Sequence, residues 1–201
     1  MKTFLMLLAV LLSCDALGQG GIIWNNTSST LISIQGWDFP PTPMPPRSSP
    51  ETTFYFALFI APYGTAAPDP GLLGINDPAW QFAVAYTVNS SSASGAGRLQ
   101  NTGVAHASGY PPGSTVSFIV RGWQSYSGGT DWDAAKPGIF SYGQSALGSA
   151  ILGEGATPNP SAFGIGIGQI PGFSVFVVPE PTSLALVSLG GLAFWFCRLK
   201  K

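Results

Sequence analysis

Proline and glycine recur so often in this chain that helices have little room: 18 prolines and 26 glycines fill 44 of 201 positions. Proline lacks an amide donor and clashes with the preceding helical turn, while glycine loses the most backbone entropy when it is ordered. A mostly helical fold is excluded on that ground, and short strands joined by turns remain. Charged residues make up only 8% of the chain, the formal net charge is −1, and the apolar share is 45%. That balance fits neither a basic nucleic-acid binder nor an acidic disordered chain, so no nucleic-acid partner is expected.

The two ends read as targeting segments. Met1, Lys2 and Thr3 give a short positive start, residues 4–12 are an unbroken apolar run, and Ala16-Leu17-Gly18 offers small residues where a signal peptidase reads. Residues 1–18 are therefore expected to be a secretory signal helix cut after Gly18. Nine apolar residues are too few to cross about 30 Å of hydrocarbon. An alternative is lipoprotein processing, since Leu11-Leu12-Ser13-Cys14 is similar to a lipobox with Cys14 as the lipid acceptor.

At the other end, a strand-like stretch over 173–178 is followed by Pro179-Glu180-Pro181, a 15-residue run over 183–197 that turns from weakly polar to apolar, and the basic residues Arg198, Lys200 and Lys201. Two prolines keep the triplet extended and out of any helix, and the basic residues are expected to stay on the cytoplasmic side. Residues 178–201 strongly resemble the PEP-CTERM protein-sorting tail of Gram-negative bacteria. The resemblance implies export by the secretion machinery, a membrane-held intermediate, and cutting near the triplet by an exosortase-type membrane transpeptidase. The protein would then reach the cell surface or the extracellular space. Cys197 and Trp195 near the basic end and the interruption at Leu199 are departures from the usual tail. The plain alternative is a single-pass anchor, which 15 residues could make only with local bilayer thinning.

Between the tags lie residues 19–178, 160 residues with seven acids and four bases, enough for one domain with its own core. Both cysteines, Cys14 and Cys197, fall in the targeting segments, so this domain holds no disulfide. Residues 52–60 place Phe54, Phe56, Leu58 and Ile60 on one face and Tyr55, Ala57 and Phe59 on the other, as in a central strand covered on both sides. Residues 81–88 alternate Phe82, Val84, Tyr86 and Val88 against Ala83, Ala85 and Thr87, and residues 115–123 alternate Val116, Phe118 and Val120 against Ser117, Ile119 and Arg121. With further strands expected over 21–25, 30–35, 97–103, 164–170 and 173–178, the predicted fold is all-β. It is an antiparallel β-sandwich of about eight strands, flanked by the signal helix and a short C-terminal hydrophobic helix. Six prolines make residues 39–50 a loop or crossover, and residues 131–136 give the best helical turn. The domain also resembles, more loosely, uncharacterised secreted proteins that pair a sandwich with the same tail, a resemblance that implies no activity.

Few residues carry chemistry. His106 is the single histidine, no Gly-x-Ser-x-Gly surrounds any serine, and His106 reads as a solvent-facing loop residue. Asp131 and Asp133 could offer oxygens to calcium, but a shell needs about 6 to 8, and a helix N-cap with a first-turn charge explains them more simply. Gly164-Ile165-Gly166-Ile167-Gly168 lacks dinucleotide-loop spacing, and Lys136 has no glycine before it. No enzyme, cofactor or metal is expected; a hydrolase with two converging carboxylates is the least favoured reading. Trp37, Trp80 and Trp132 stand beside Asp, Pro or Gly, where turns bring side chains near solvent, and could stack on sugar rings of an exopolysaccharide; the competing reading is that they fill the core. The expectation is a cell-envelope or extracellular-matrix protein of structural or adhesive role, with a carbohydrate-binding module as the alternative.

Overall fold

The computed structural model describes residues 19–36, 38–69, 78–100, 103–125, 139–154 and 157–177. The signal segment 1–18, the Pro-Glu-Pro triplet, the hydrophobic run 183–197 and the helical turn expected over 131–136 lie outside the described residues.

The domain is all-β. Ten strands occur among the described residues: β1 (Gly21–Ile23), β2 (Ser33–Gln35), β3 (Thr42–Pro43), β4 (Tyr55–Pro62), β5 (Gln81–Val88), β6 (Val104–His106), β7 (Thr115–Ser125), β8 (Ile139–Gln144), β9 (Gly148–Ile151) and β10 (Ser174–Val177). Eight of them form one sheet in the order β3-β2-β10-β8-β7-β4-β5, with β9 continuing alongside β7 below β8. The remaining two, β1 and β6, pair antiparallel as a separate small sheet. Two expectations change here. The strands number ten rather than about eight, and the large sheet is mixed, because β10 pairs parallel with β2. That pairing brings the two ends of the domain together and leaves β10 antiparallel to β8 on its other side.

β4 and β7 are the spine. Phe56, Leu58 and Ile60 of β4 and Val116, Phe118 and Val120 of β7 project to one face, where they share a core with Ile22, Trp24, Ala105, Leu152 and Val175. The small β1-β6 sheet and its flanking loops thus cover that face. The opposite face, expected to be the polar side of β7, is also closed over: Ser117, Ile119, Arg121 and Trp123 are all buried. β5 matches its expected bounds, but its aromatic side chains do not face the main core. Ala83 packs there, whereas Phe82 and Tyr86 lie on the second face.

Two expected strands are absent. Residues 164–170 are turns and bends with one isolated bridge, Phe163 to Ile170. The Gln169 side chain accepts from the Gly166 amide at 2.9 Å and donates to the Ser161 carbonyl at 3.1 Å, coiling the segment and leaving Ile165 and Ile167 in solvent. Of residues 97–103, only Leu99 makes a bridge, to Asn89, while 101–102 lie outside the described residues.

The proline-rich stretch 39–50 is mostly irregular, as expected, apart from the two residues of β3. Poor in amide donors, it must find partners for its carbonyls elsewhere. The Gly97 amide donates to the Met44 carbonyl at 2.8 Å, and Asn89 serves Pro45. Asn89 is fully buried; its amide donates to the Pro45 carbonyl at 2.8 Å and the Thr52 carbonyl at 2.9 Å, and its oxygen accepts from the Phe54 amide at 3.0 Å. Asn89→Ala would leave two carbonyls and one amide unpaired in the interior. The expected loss is about 3 kcal/mol of stability, read from the midpoint of urea unfolding.

Candidate functional site

Antiparallel pairing puts directly opposed residues on the same face, and on the second face this aligns aromatic side chains from four strands. Phe176 of β10 opposes Tyr142 of β8, Tyr142 opposes Trp123 of β7, and Trp123 opposes Tyr55 of β4. Neighbouring strands lie about 4.8 Å apart, so this rung runs about 15 Å across the sheet. The Tyr55 and Trp123 rings stack with centroids 6.3 Å apart, and Tyr86 of β5 meets Trp123 edge-on at 6.2 Å. Phe82 and Tyr86 close to 4.3 Å, and Phe59 follows at 5.8 Å from Phe82. Trp123 is the buried base of the group, Tyr55 and Tyr142 are half-buried, and Tyr86 and Phe176 are 39% and 50% exposed.

Beside Tyr55 a groove of about 540 Å³ opens at the edge of β5. Arg47, Ser48, Ser49, Thr53 and Ser91 line it with hydrogen-bonding groups, and Tyr55, Val88 and Pro50 supply the apolar surface. Arg47 is held in place through its amide, which donates to the Ser90 carbonyl at 2.8 Å, and through its guanidinium, which reaches the Gln100 side chain at 3.2 Å. Flat rings beside hydroxyls and a guanidinium are the combination that suits a polar ligand with apolar ring faces, such as a saccharide.

One rung further down, the second face carries a charge. Arg121 is 2% exposed. Its Nε donates to Gln144 Oε1 at 2.9 Å and its terminal nitrogen to the Asp69 carbonyl at 2.7 Å. The Gln144 amide in turn donates to the Pro68 carbonyl at 3.0 Å, and the Trp80 indole to the Ala66 carbonyl at 3.1 Å. The segment 66–69 is thus strapped across the sheet by side chains that grip its main chain. Burial pulls the Arg121 guanidinium down to about 10, opposed by the negative charge of Asp69 and by Tyr142. A base whose folded pKa is depressed costs stability in its charged form. That cost holds at every pH below about 10 and is relieved only as pH rises above it.

Trp80 corrects the sequence expectation. It is 6% exposed, packed with Ala61 and Ile119, and its indole is committed to the strap, so no open ring face awaits a sugar. A turn does precede it, but the following strand carries it inward. Trp24 and Trp123 are likewise buried. Trp37, Trp132, Asp131, Asp133, Pro179, Glu180, Pro181, Arg198, Lys200 and Lys201 lie outside the described residues. His106 is solvent-facing as expected, although it ends a strand, β6, opposite Gly21, rather than sitting in a loop. Among the described residues, no three His, Cys, Asp or Glu side chains gather as a metal site. The aromatic rung and Arg121 escape sequence reasoning because each depends on cross-strand register, and only the apolar–polar alternation of 115–123 hints at either.

Residues 177–201 match the family described as the PEP-CTERM protein-sorting motif. The tail resemblance therefore holds, and the motif implies an exported protein that an exosortase-type membrane enzyme sorts. The match covers the tail and not the domain before it. No curated protein and no solved structure matches the chain.

Arg121→Ala removes the grip on the strap and leaves the Asp69 carbonyl without its donor. Stability should fall by about 2 kcal/mol from the lost hydrogen bonds, and amide hydrogen exchange at 66–69 should rise well above that at β4. The wild type should show no Arg121-linked change in stability below pH about 10.

Proposed function

We propose that this chain delivers a β-sandwich domain to the cell surface or extracellular matrix, where it has a structural or adhesive, non-enzymatic role. The observation that carries the reading is the sorting motif at 177–201, joined directly to β10. In this reading, residues 1–18 direct secretion and are removed after Gly18. The segment 183–197 then holds the chain at the inner membrane, Arg198, Lys200 and Lys201 stay on the cytoplasmic side, and the exosortase-type enzyme acts near Pro179-Glu180-Pro181. A domain with no internal cysteine suits this route, since it can fold outside the cytoplasm without an oxidase.

A second reading, binding of an exopolysaccharide, is favoured by the aromatic rung and its adjoining groove. Exposed, half-buried rings beside serine, threonine and arginine side chains are what a sugar polymer needs, with Tyr55, Tyr86 and Tyr142 in the stacking role first sought among tryptophans. Trp37 and Trp132 remain candidates for the same role. The two readings are compatible, since adhesion to a matrix requires something to hold.

Intact-mass spectrometry of the protein recovered from envelope and medium tests the sorting step. The wild type should lack the residues beyond the triplet, and a Pro179→Ala, Glu180→Ala, Pro181→Ala variant should retain them. A mass that keeps Lys201 in both forms would make the tail an ordinary anchor. For the second reading, Tyr55→Ala and Tyr142→Ala should each weaken retention on the producer's own polysaccharide about fivefold, the equivalent of one aromatic contact worth about 1 kcal/mol. Unchanged retention by both variants would remove the rung from consideration.

A further inference from the structure

The strand directions fix where the tail leaves the domain. β7 runs from Thr115 to Ser125, and β10 runs the same way because both are antiparallel to β8. Val177, the last described residue, pairs with Ser141, which pairs with Gln124 near the end of β7. The tail therefore leaves from the end of the sheet that carries the aromatic rung, one residue beyond Phe176. At the opposite end, Pro62 pairs with Val116, and Tyr63 and Ile151 project there, 67% and 60% exposed. The eleven residues of β7 separate the two ends by about 35 Å.

The connection to the hydrophobic segment is short. Six residue steps join Val177 to Ser183, a reach of at most about 22 Å even when fully extended. While 183–197 sits in a bilayer, the rung end of the sheet stays within about 22 Å of the membrane surface. The surface presented there is Phe176, Tyr142, Tyr55 and Tyr86, side chains with an apolar body and, for the tyrosines, a polar tip. Aromatic side chains of this kind settle at the interface of a bilayer. We propose that the aromatic rung rests on the lipid surface in the membrane-held intermediate and opens to solvent when the tail is cut, so that the sorting step also uncovers the binding face. This rests on the reading of 183–197 as a membrane segment. The end bearing Tyr63 lies about 35 Å along the sheet from the rung.

Hydroxyl-radical footprinting of the full chain in phosphatidylcholine vesicles tests this, compared with a chain carrying a 30-residue Gly/Ser insert after Val178 that lets the domain float free. Flotation with the vesicles reports insertion of the tail independently of the footprint. The expected result is several-fold lower labelling of Phe176 and Tyr55 in the natural chain, restored by the insert, with Tyr63 labelled equally in both as the control. Equal labelling of Phe176 in the two chains would overturn the proposal while leaving the membrane reading intact. Protection of Tyr63 together with Phe176 would overturn it too, since the contact would then not be confined to the rung. Failure of both chains to float would overturn the membrane reading and the proposal with it.

Discussion

Eight consecutive residue pairs between β4 and β7, from Tyr55 opposite Trp123 to Pro62 opposite Val116, hold the rest of the domain in place. This ladder is buried on both faces. One face presents Phe56, Leu58, Ile60, Phe118 and Val120 to the main core, and the other presents Ala57, Ile119, Trp123 and Arg121 to a second, thinner layer. A fully buried Phe or Leu side chain contributes about 1.5–3 kcal/mol relative to exposure, so a domain with no disulfide draws its stability chiefly from this pair of strands and what covers them.

The second layer differs in kind from the first. Where the main core is aliphatic and aromatic packing, the second face is closed by aromatic stacking at one end and by a strap at the other, gripped by Arg121, Gln144 and Trp80 through main-chain carbonyls. Because side chains hold the strap by its backbone, its own side chains are left to face outward. Pro68 within it has no amide to satisfy, which suits a segment that lies flat against a sheet without joining it. The same frame aligns the aromatic rung and directs the tail out beside it, so the rung and the sorting signal share one end of the sheet.

Much of this was legible in the sequence, and what was not has a common cause. β5 could be read from alternation alone, as could the two-sided burial of β4, since Phe54 to Ile60 is apolar on both parities. The tail was legible because Pro-Glu-Pro, a short apolar run and basic residues stand together in 25 residues. β8 and β9 were missed because Ile139–Gln144 and Gly148–Ile151 are short and each is interrupted by Ser and Gly, so no clean alternation marks them, and pairing with β7 makes them strands. The stretch 164–170 misled in the opposite direction: Gly-Ile alternation mimics a strand, but among the described residues it makes a single bridge, at Ile170, and Gly168 adopts a positive φ of 79°. The rung joins Tyr55 to Phe176 through register across four strands, and Arg121 looked like the polar side of a half-exposed strand because the strap that buries it lies more than fifty residues away. Local pattern names the strands; only long-range pairing names the site.

The central claim is that one doubly buried ladder carries the aromatic rung, the strap and the tail exit as a single rigid frame. Native-state hydrogen exchange on the full chain tests it most directly. The account predicts that the paired amides of β4 and β7 exchange last, at the rate of global unfolding, with β8 close behind and the small β1-β6 sheet opening earlier. If β1 and β6 outlast β4 and β7, the frame lies elsewhere and the alignment of rung and tail loses its physical basis.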